Sequence, residues 1–240
     1  MRNYYYILII IVSMLLTLSC AEDKTNITFK EVNITTDDNS LVEIYVPKAI
    51  GNDNVSEKIN TKIDEVLITS LSIGDSETAT SSSVKESVSR FNREYKNFKA
   101  DFPESPMVWE AQIDGEVTYQ SDAIISLAIT NYQNTGGAHG NVIVTFLNFD
   151  TQTGNSISNN DLFSDFTAFE NLAKDHFFME ISDKKEDYFE PDNFTLPANI
   201  GLNDEGLILL YNTYEIAPYS SGITEIHIPF SEVNALLNYK

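Results

Sequence analysis

The sequence predicts an α+β fold in which antiparallel sheets pack with a few amphipathic helices, arranged as two tandem subdomains. Segments that alternate apolar and polar residues and segments with helical apolar spacing occur in separate blocks, which is typical of α+β proteins. The chain has 240 residues, of which 42% are hydrophobic and 11% aromatic. This apolar content is enough for one large core or two smaller cores.

The N-terminus has the pattern of a secretory signal peptide. Arg2 precedes an apolar run that begins at Ile7 and ends at Cys20, the single cysteine of the chain. The continuous apolar part of about 12 residues makes a helix of roughly 18 Å, which is shorter than the roughly 30 Å hydrocarbon layer. The pattern therefore favours a signal peptide over residues 1–20, and an uncleaved membrane anchor is the alternative.

The end of that run indicates the type of signal. Residues 16–20 (LTLSC) resemble a bacterial lipobox, although Thr17 stands where the usual pattern has leucine. We therefore predict that Cys20 is acylated, that residues 21–26 form a tether, and that the protein is lipid-anchored to the outer membrane of the cell envelope. The acidic start of the tether resembles a surface-export signal, and the surface-exposed and periplasmic orientations both stay open.

Residues 27–145 are expected to form the first subdomain. Alternating patterns over residues 27–34 and 41–46 predict an antiparallel hairpin. Apolar residues at spacings of three and four then predict two helices, over residues 55–71 and 84–102. Each helix would present one apolar stripe to a sheet.

Four short apolar segments follow the helices, and we expect them to form an antiparallel meander. They comprise residues 108–113, 115–119, 123–130 and 141–149. Asp114-Gly115 and Gly136-Gly137 are typical of the tight turns that join such strands.

Residues 146–240 are expected to form the second subdomain. Its pattern predicts a helix over residues 166–181, strands over 207–216 and 224–229, and a short helix over 231–237. The order of segments shows no βαβ pattern, so parallel strand pairs are not expected.

Charge and composition exclude several function classes. The chain has 36 acidic and 15 basic residues, a net charge of −21 and a pI near 4.3. A nucleic-acid binder is excluded, because phosphates would be repelled. One cysteine cannot form an internal disulfide, and three widely spaced histidines do not make the commoner zinc sites. We predict no metal and no cofactor.

Two motifs carry a family resemblance. Residues 134–140 (NTGGAHG) and 214–219 (YEIAPY) are similar to segments of the paired extracytoplasmic domains of RsiV anti-sigma factors and PdaC deacetylases. The resemblance covers nearly all of residues 27–240 and implies the two-domain α+β arrangement. It does not extend to the deacetylase, because the His-rich metal motif is absent. It does not extend to transmembrane signalling either, because only residues 1–3 precede the N-terminal segment of aromatic and apolar residues.

The same motifs supply the candidate binding residues. His139 follows Gly137 in a glycine-flanked turn, where backbone can approach a partner closely. Tyr219 follows Pro218 in a turn where a tyrosine is not easily buried, and it is the strongest single candidate. Tyr214 belongs to the same motif and could line the same surface, since tyrosine offers a large contact area with a polar tip. The alternatives are a structural turn for the histidine and core packing for the tyrosines.

The sequence therefore predicts a lipid-anchored envelope protein that acts as a non-catalytic binding or sensing module. The resemblance to RsiV implies a cationic protein partner such as lysozyme, which the acidic surface would attract. One alternative is an envelope-glycan hydrolase or a deacetylase-associated enzyme. Another is a structural or assembly lipoprotein.

Overall fold

A computed structural model of the chain describes residues 26–73 and 81–239. The predicted signal peptide, Cys20 and all but the last residue of the predicted tether lie outside the described residues. Within the described ranges, no helix combines the length and the apolar character that crossing a membrane requires.

The first sheet has five strands in the order of the chain. They are β1 (Thr28–Asn33), β2 (Val42–Ile50), β3 (Glu110–Gln120), β4 (Ile124–Asn134) and β5 (Asn141–Asp150). The predicted hairpin of β1 and β2 is confirmed, with Val32 opposite Val46. The pairs of β3 with β4 and of β4 with β5 are antiparallel, as the predicted meander requires.

One strand pair contradicts the expectation of purely antiparallel sheets. β2 and β3 are parallel, with Ile44 opposite Ile113. Between them run helices α1 (Asp53–Ser70) and α2 (Val84–Asp101), which form the long crossover that a parallel pair needs. The sequence pattern hid this crossover because two helices, rather than one, separate the strands.

The two crossover helices form where the apolar spacing predicts them. The α1 stripe of Ile59, Ile63 and Leu67 is fully buried against the sheet. Each helix also has a polar N-cap, since Asn52 Oδ1 accepts a bond from the backbone of α1 and Ser83 Oγ accepts one from the backbone of α2.

The predicted turn at Asp114-Gly115 is wrong. Both residues lie inside the continuous strand β3. A Cβ atom at Gly115 would stand 2.7 Å from Pro47 Cδ and 2.9 Å from Ile129 Cδ1. The glycine therefore permits close packing between strands, and it marks no change of chain direction.

A second sheet follows, with three antiparallel strands. They are β6 (Asn199–Leu202), β7 (Gly206–Tyr211) and β8 (Thr224–Pro229). Helix α3 (Phe166–Glu180) confirms the helix expected over residues 166–181 and covers one face of this sheet.

Three details of the second subdomain differ from the sequence prediction. β6 was not predicted, because its four residues are too few for a pattern. The strand expected over residues 207–216 ends at Tyr211, after which the chain turns toward β5. The expected final helix is a single turn, α4 (Phe230–Val233).

The elements stack in four layers. Helices α1 and α2 cover one face of the first sheet, the second sheet packs on part of its other face, and α3 covers the second sheet from outside. β7 lies between two cores, so all six of its residues are buried. Ile208 and Leu210 face Ala128 and Val144 of the first sheet, while Leu209 faces α3.

The outer edge of β5 is closed by the second subdomain. Asn212 Oδ1 accepts a bond of 2.8 Å from Val144 N–H, and Asn212 Nδ2 donates one of 3.0 Å to Val144 O. Asn199 Oδ1 accepts from Phe146 N–H at 3.1 Å. These side-chain amides replace a sixth strand, so the edge is protected from pairing with another chain. The boundary expected between residues 145 and 146 lies inside β5, so this strand belongs to neither expected subdomain alone.

Replacing Asn212 with alanine leaves both polar backbone groups of Val144 without their partner. We expect the free energy of unfolding to fall by about 1–3 kcal/mol, because unsatisfied backbone groups between packed sheets carry a desolvation cost. Urea denaturation measures the change. The matched control is Asn171→Ala on the exposed side of α3, where the amide only donates to Thr167 O. A loss no larger than that of the control would contradict this role for Asn212.

Candidate binding site

The structure brings three predicted binding residues together although they lie far apart in the sequence. The rings of His139 and Tyr219 stack with centroids 3.6 Å apart and planes 18° apart. The ring centroid of Tyr214 lies 5.8 Å from that of Tyr219. We call these three residues the aromatic cluster. It lies at the end of the first sheet where β4 ends and β5 begins.

Hydrogen bonds fix the position of the His139 ring. Its Nδ1 lies 2.9 Å from the carbonyl oxygen of Gly140, which can only accept, so Nδ1 carries the proton. The Tyr219 hydroxyl donates to the same carbonyl at 2.9 Å. The remaining ring nitrogen, Nε2, faces the Tyr214 hydroxyl at 3.5 Å. The cluster thus has one defined tautomer and one ring nitrogen that can accept.

The glycines around His139 shape the turn. Gly136 and Gly137 have φ angles of 111° and 108°, which side chains rarely adopt. Gly137 is exposed and contributes backbone only. A Cβ at Gly140 would overlap the ring of Tyr132, so this position must be glycine for the turn to lie on β4.

The second half of the cluster stands on a loop with unusual backbone geometry. Tyr214 has a φ of 69°, the single positive φ among the described residues other than glycine. A bulky residue in this region is strained. Its side chain is nevertheless 56% exposed. The loop is fastened just before this point, where Thr213 Oγ1 donates to Asn141 Oδ1 at 3.0 Å. Tyr214 thus combines a strained backbone with an exposed aromatic ring.

Sequence reasoning missed two neighbours of the cluster. The Tyr132 hydroxyl donates to Glu110 Oε1 at 3.0 Å, and this bond to a carboxylate raises the pKa of Tyr132. The two residues stand on adjacent strands and are separated by 22 positions. Only strand register brings them together, and no local motif in the sequence indicates it.

Tyr211 and His176 have structural roles. Tyr211 is 1% exposed, and its hydroxyl donates to Thr195 O at 2.7 Å. His176 lies 3.0 Å from a carboxylate oxygen of Glu232. The Tyr211 bond joins β7 to the loop before β6, and the His176 contact joins α3 to α4. Both contacts lie outside the aromatic cluster.

A further cavity lies away from the aromatic cluster. A groove of about 870 Å³ runs between the β1–β2 hairpin and α1, and its lining includes Val32, Ile34 and Ile50. Burial raises the pKa of Asp64 at its rim, and the nearby Lys48 opposes that change. None of the predicted binding residues lines this groove.

The chemistry of the aromatic cluster suits noncovalent recognition. It offers stacking faces, two tyrosine hydroxyls and one histidine nitrogen at a surface. Across residues 26–73 and 81–239, no three His, Cys, Asp or Glu side chains are grouped as a metal ion would need.

Family models match both halves of the chain. Residues 34–142 match the model described as Deacetylase PdaC, and residues 149–231 match the model described as a protein of unknown function, DUF3298. No curated protein matches the sequence.

Solved structures show the same fold over most of the chain. A DUF3298 family member from Bacteroides fragilis is 18% identical with a TM-score of 0.64, covering 90% of this chain and 95% of its own. A DUF3298 family protein from Pseudomonas aeruginosa is also 18% identical, with a TM-score of 0.58 and coverage of 90% and 96%. The chain combines a PdaC-type N-terminal domain with a C-terminal domain of the DUF3298 family, as the sequence motifs predicted.

Proposed function

We propose that this protein is a lipid-anchored binding module of the cell envelope that recognises a cationic protein through the aromatic cluster. The observation that carries the proposal is the convergence of His139, Tyr214 and Tyr219 on one surface. Two of these residues come from a different domain than the third, so the cluster depends on both domains.

The exposed rings supply the contact energy. Tyrosine is enriched among the residues that dominate protein interfaces, since it buries a large area with little loss of side-chain entropy. A lysine or arginine of a partner that lies over such a ring also gains cation–π attraction. A strained, exposed Tyr214 is costly in a free protein, and a bound partner would compensate for that cost.

The net charge supports a cationic partner. At −21, the chain attracts basic proteins over long distances and repels anionic glycans and lipids. Lysozyme is a basic protein of the kind that such a field would attract, and it is the partner proposed here. No contact in the described part of the chain favours the catalytic alternative.

Anchoring rests on the sequence around Cys20. The short apolar run that ends at this cysteine supports cleavage before it and acylation of its sulfur, and two or three acyl chains give stable membrane attachment. The aromatic cluster would then be held at the envelope, at the end of a short tether. The same sequence supports an outer-membrane location.

Replacing Cys20 with alanine should release the protein from the membrane fraction or leave it as an unprocessed precursor. Cell fractionation and intact-mass measurement decide the result. Ser19→Ala, which keeps the cysteine and a small residue before it, is the control and should remain acylated. Unchanged mass and unchanged membrane attachment in the Cys20 variant would rule out lipidation at this position.

Replacing Tyr214 with glycine separates binding from folding. Glycine relieves the strain at a φ of 69°, so the free energy of unfolding should stay the same or rise by up to about 1 kcal/mol. Affinity for lysozyme should fall at least tenfold, because the exposed ring is lost. Chemical denaturation and calorimetry at about 0.01 M salt, where the Debye length is roughly 30 Å, measure the two effects.

The control for this variant is Met179→Ala, which removes an apolar side chain with 69% exposure from α3. Its affinity should equal that of the unsubstituted protein. A glycine variant that loses stability and keeps its affinity would mean that Tyr214 is structural. Absence of saturable lysozyme binding by the unsubstituted protein would contradict the proposed partner.

A further inference from the structure

One face of the first sheet is only partly covered. The side chains that point toward α1 and α2 are buried, among them Ile44, Ile113 and Ile129. The alternate residues point to the opposite face. There the second subdomain covers β4 and β5 at Ala128 and Val144 and the end of β3 at Tyr119, and it leaves the starts of β2 and β3 exposed.

This exposed side carries several negatively charged side chains. The strand register places Glu43 opposite Gln112, and Tyr45 opposite Asp114. Glu110 and Glu116 stand on the same face of β3 as Asp114, because successive side chains alternate. All four carboxylate residues are exposed. We call Glu43, Glu110, Asp114 and Glu116, with the strands that carry them, the acidic face.

Basic side chains are absent from this face in the described strands. Lys30 and Lys48 are the basic residues of β1 to β4, and they stand opposite each other on the hairpin. Lys48 lines the groove beside α1, on the helix side of the sheet. Among the described residues, no carboxylate of the acidic face forms an ion pair with lysine or arginine. Its charge is therefore not neutralised within the protein.

The acidic face includes a cavity. A cavity of about 590 Å³ opens where β2 and β3 begin, and Glu43, Glu110 and Gln112 line it together with Tyr132. A cavity of this size admits the side chains of a partner. Carboxylates beside a tyrosine ring are groups that recognise a guanidinium or an ammonium ion.

Tyr132 makes the acidic face continuous with the aromatic cluster. Its hydroxyl bonds to Glu110 in the cavity, and its ring packs against Gly140, whose carbonyl accepts from Tyr219. A partner that covers the cluster would therefore also reach the carboxylates. The acidic face and the aromatic cluster therefore form one continuous surface.

We propose that the acidic face docks a basic protein, which places lysine or arginine side chains at the cavity while its apolar centre covers the aromatic cluster. The inference rests on the proposed function. It assigns the surface whose negative charge complements the positive charge of the partner. Carboxylates concentrated on one face accelerate association more than the same number spread over the surface. A metal ion is a poorer occupant, because the described residues contain no cluster that could ligate one.

The test neutralises three carboxylates of the acidic face together, as Glu43→Gln, Asp114→Asn and Glu116→Gln. The matched control neutralises three exposed acids of the α3 side, as Glu170→Gln, Asp175→Asn and Glu186→Gln. Both triple variants have the same net charge. Surface plasmon resonance with lysozyme and cytochrome c, two basic probes, measures association rates from about 0.01 to 0.15 M salt.

We expect the first triple variant to lower the association rate at least fivefold at low salt and to weaken its salt dependence. The control should change the rate less than twofold. Equal losses in the two variants would overturn the inference and leave only the effect of net charge, while the Tyr214 result would still stand. No saturable binding of either probe by the unsubstituted protein would overturn both the inference and the proposed function.

Discussion

The pairing of the Asn212 amide with the backbone of Val144 is the contact on which the rest of the structure depends. A five-stranded sheet leaves the N–H and C=O groups of β5 unpaired along its outer edge. A sixth strand would satisfy these groups but would extend one sheet instead of stacking two. The side-chain amides of Asn212, just after β7, and Asn199 of β6 satisfy the groups of Val144 and the N–H of Phe146, so the two sheets pack face to face.

The same contact fixes the candidate site. After Asn212 is bound at Val144, the next residues of the loop meet the beginning of β5 and the turn before it. Thr213 bonds to Asn141, and Tyr214 then reaches His139. The positive φ of Tyr214 follows from this path. The chain must turn sharply there, because Thr213 is bound to Asn141 and the backbone of Glu215 to that of Asn212. Neither domain alone would present the aromatic cluster.

Much of this fold can be predicted from the sequence. Helices α1, α2 and α3 follow from apolar spacing, and the first hairpin follows from alternation, because these patterns are local. The parallel pair of β2 and β3, the strand role of Gly115 and the short strand β6 are not predictable in this way. Each depends on which distant segment packs nearby, as the contact of Gly115 with Pro47 illustrates. For the site, motif and turn chemistry indicate His139, Tyr214 and Tyr219, whereas Tyr132 and Glu110 emerge only from the register of strands.

The acidic face and the aromatic cluster have separate roles in the proposed binding. The acidic face would set how fast a basic partner arrives, and the aromatic cluster would set how long it stays. Hydrogen exchange tests this central claim most directly, with the protein measured free and saturated with lysozyme. We expect residues 132–141 and 212–222 to gain protection together, because one partner covers both halves of the aromatic cluster. Protection confined to one of these segments, or found only on the α3 side, would contradict it.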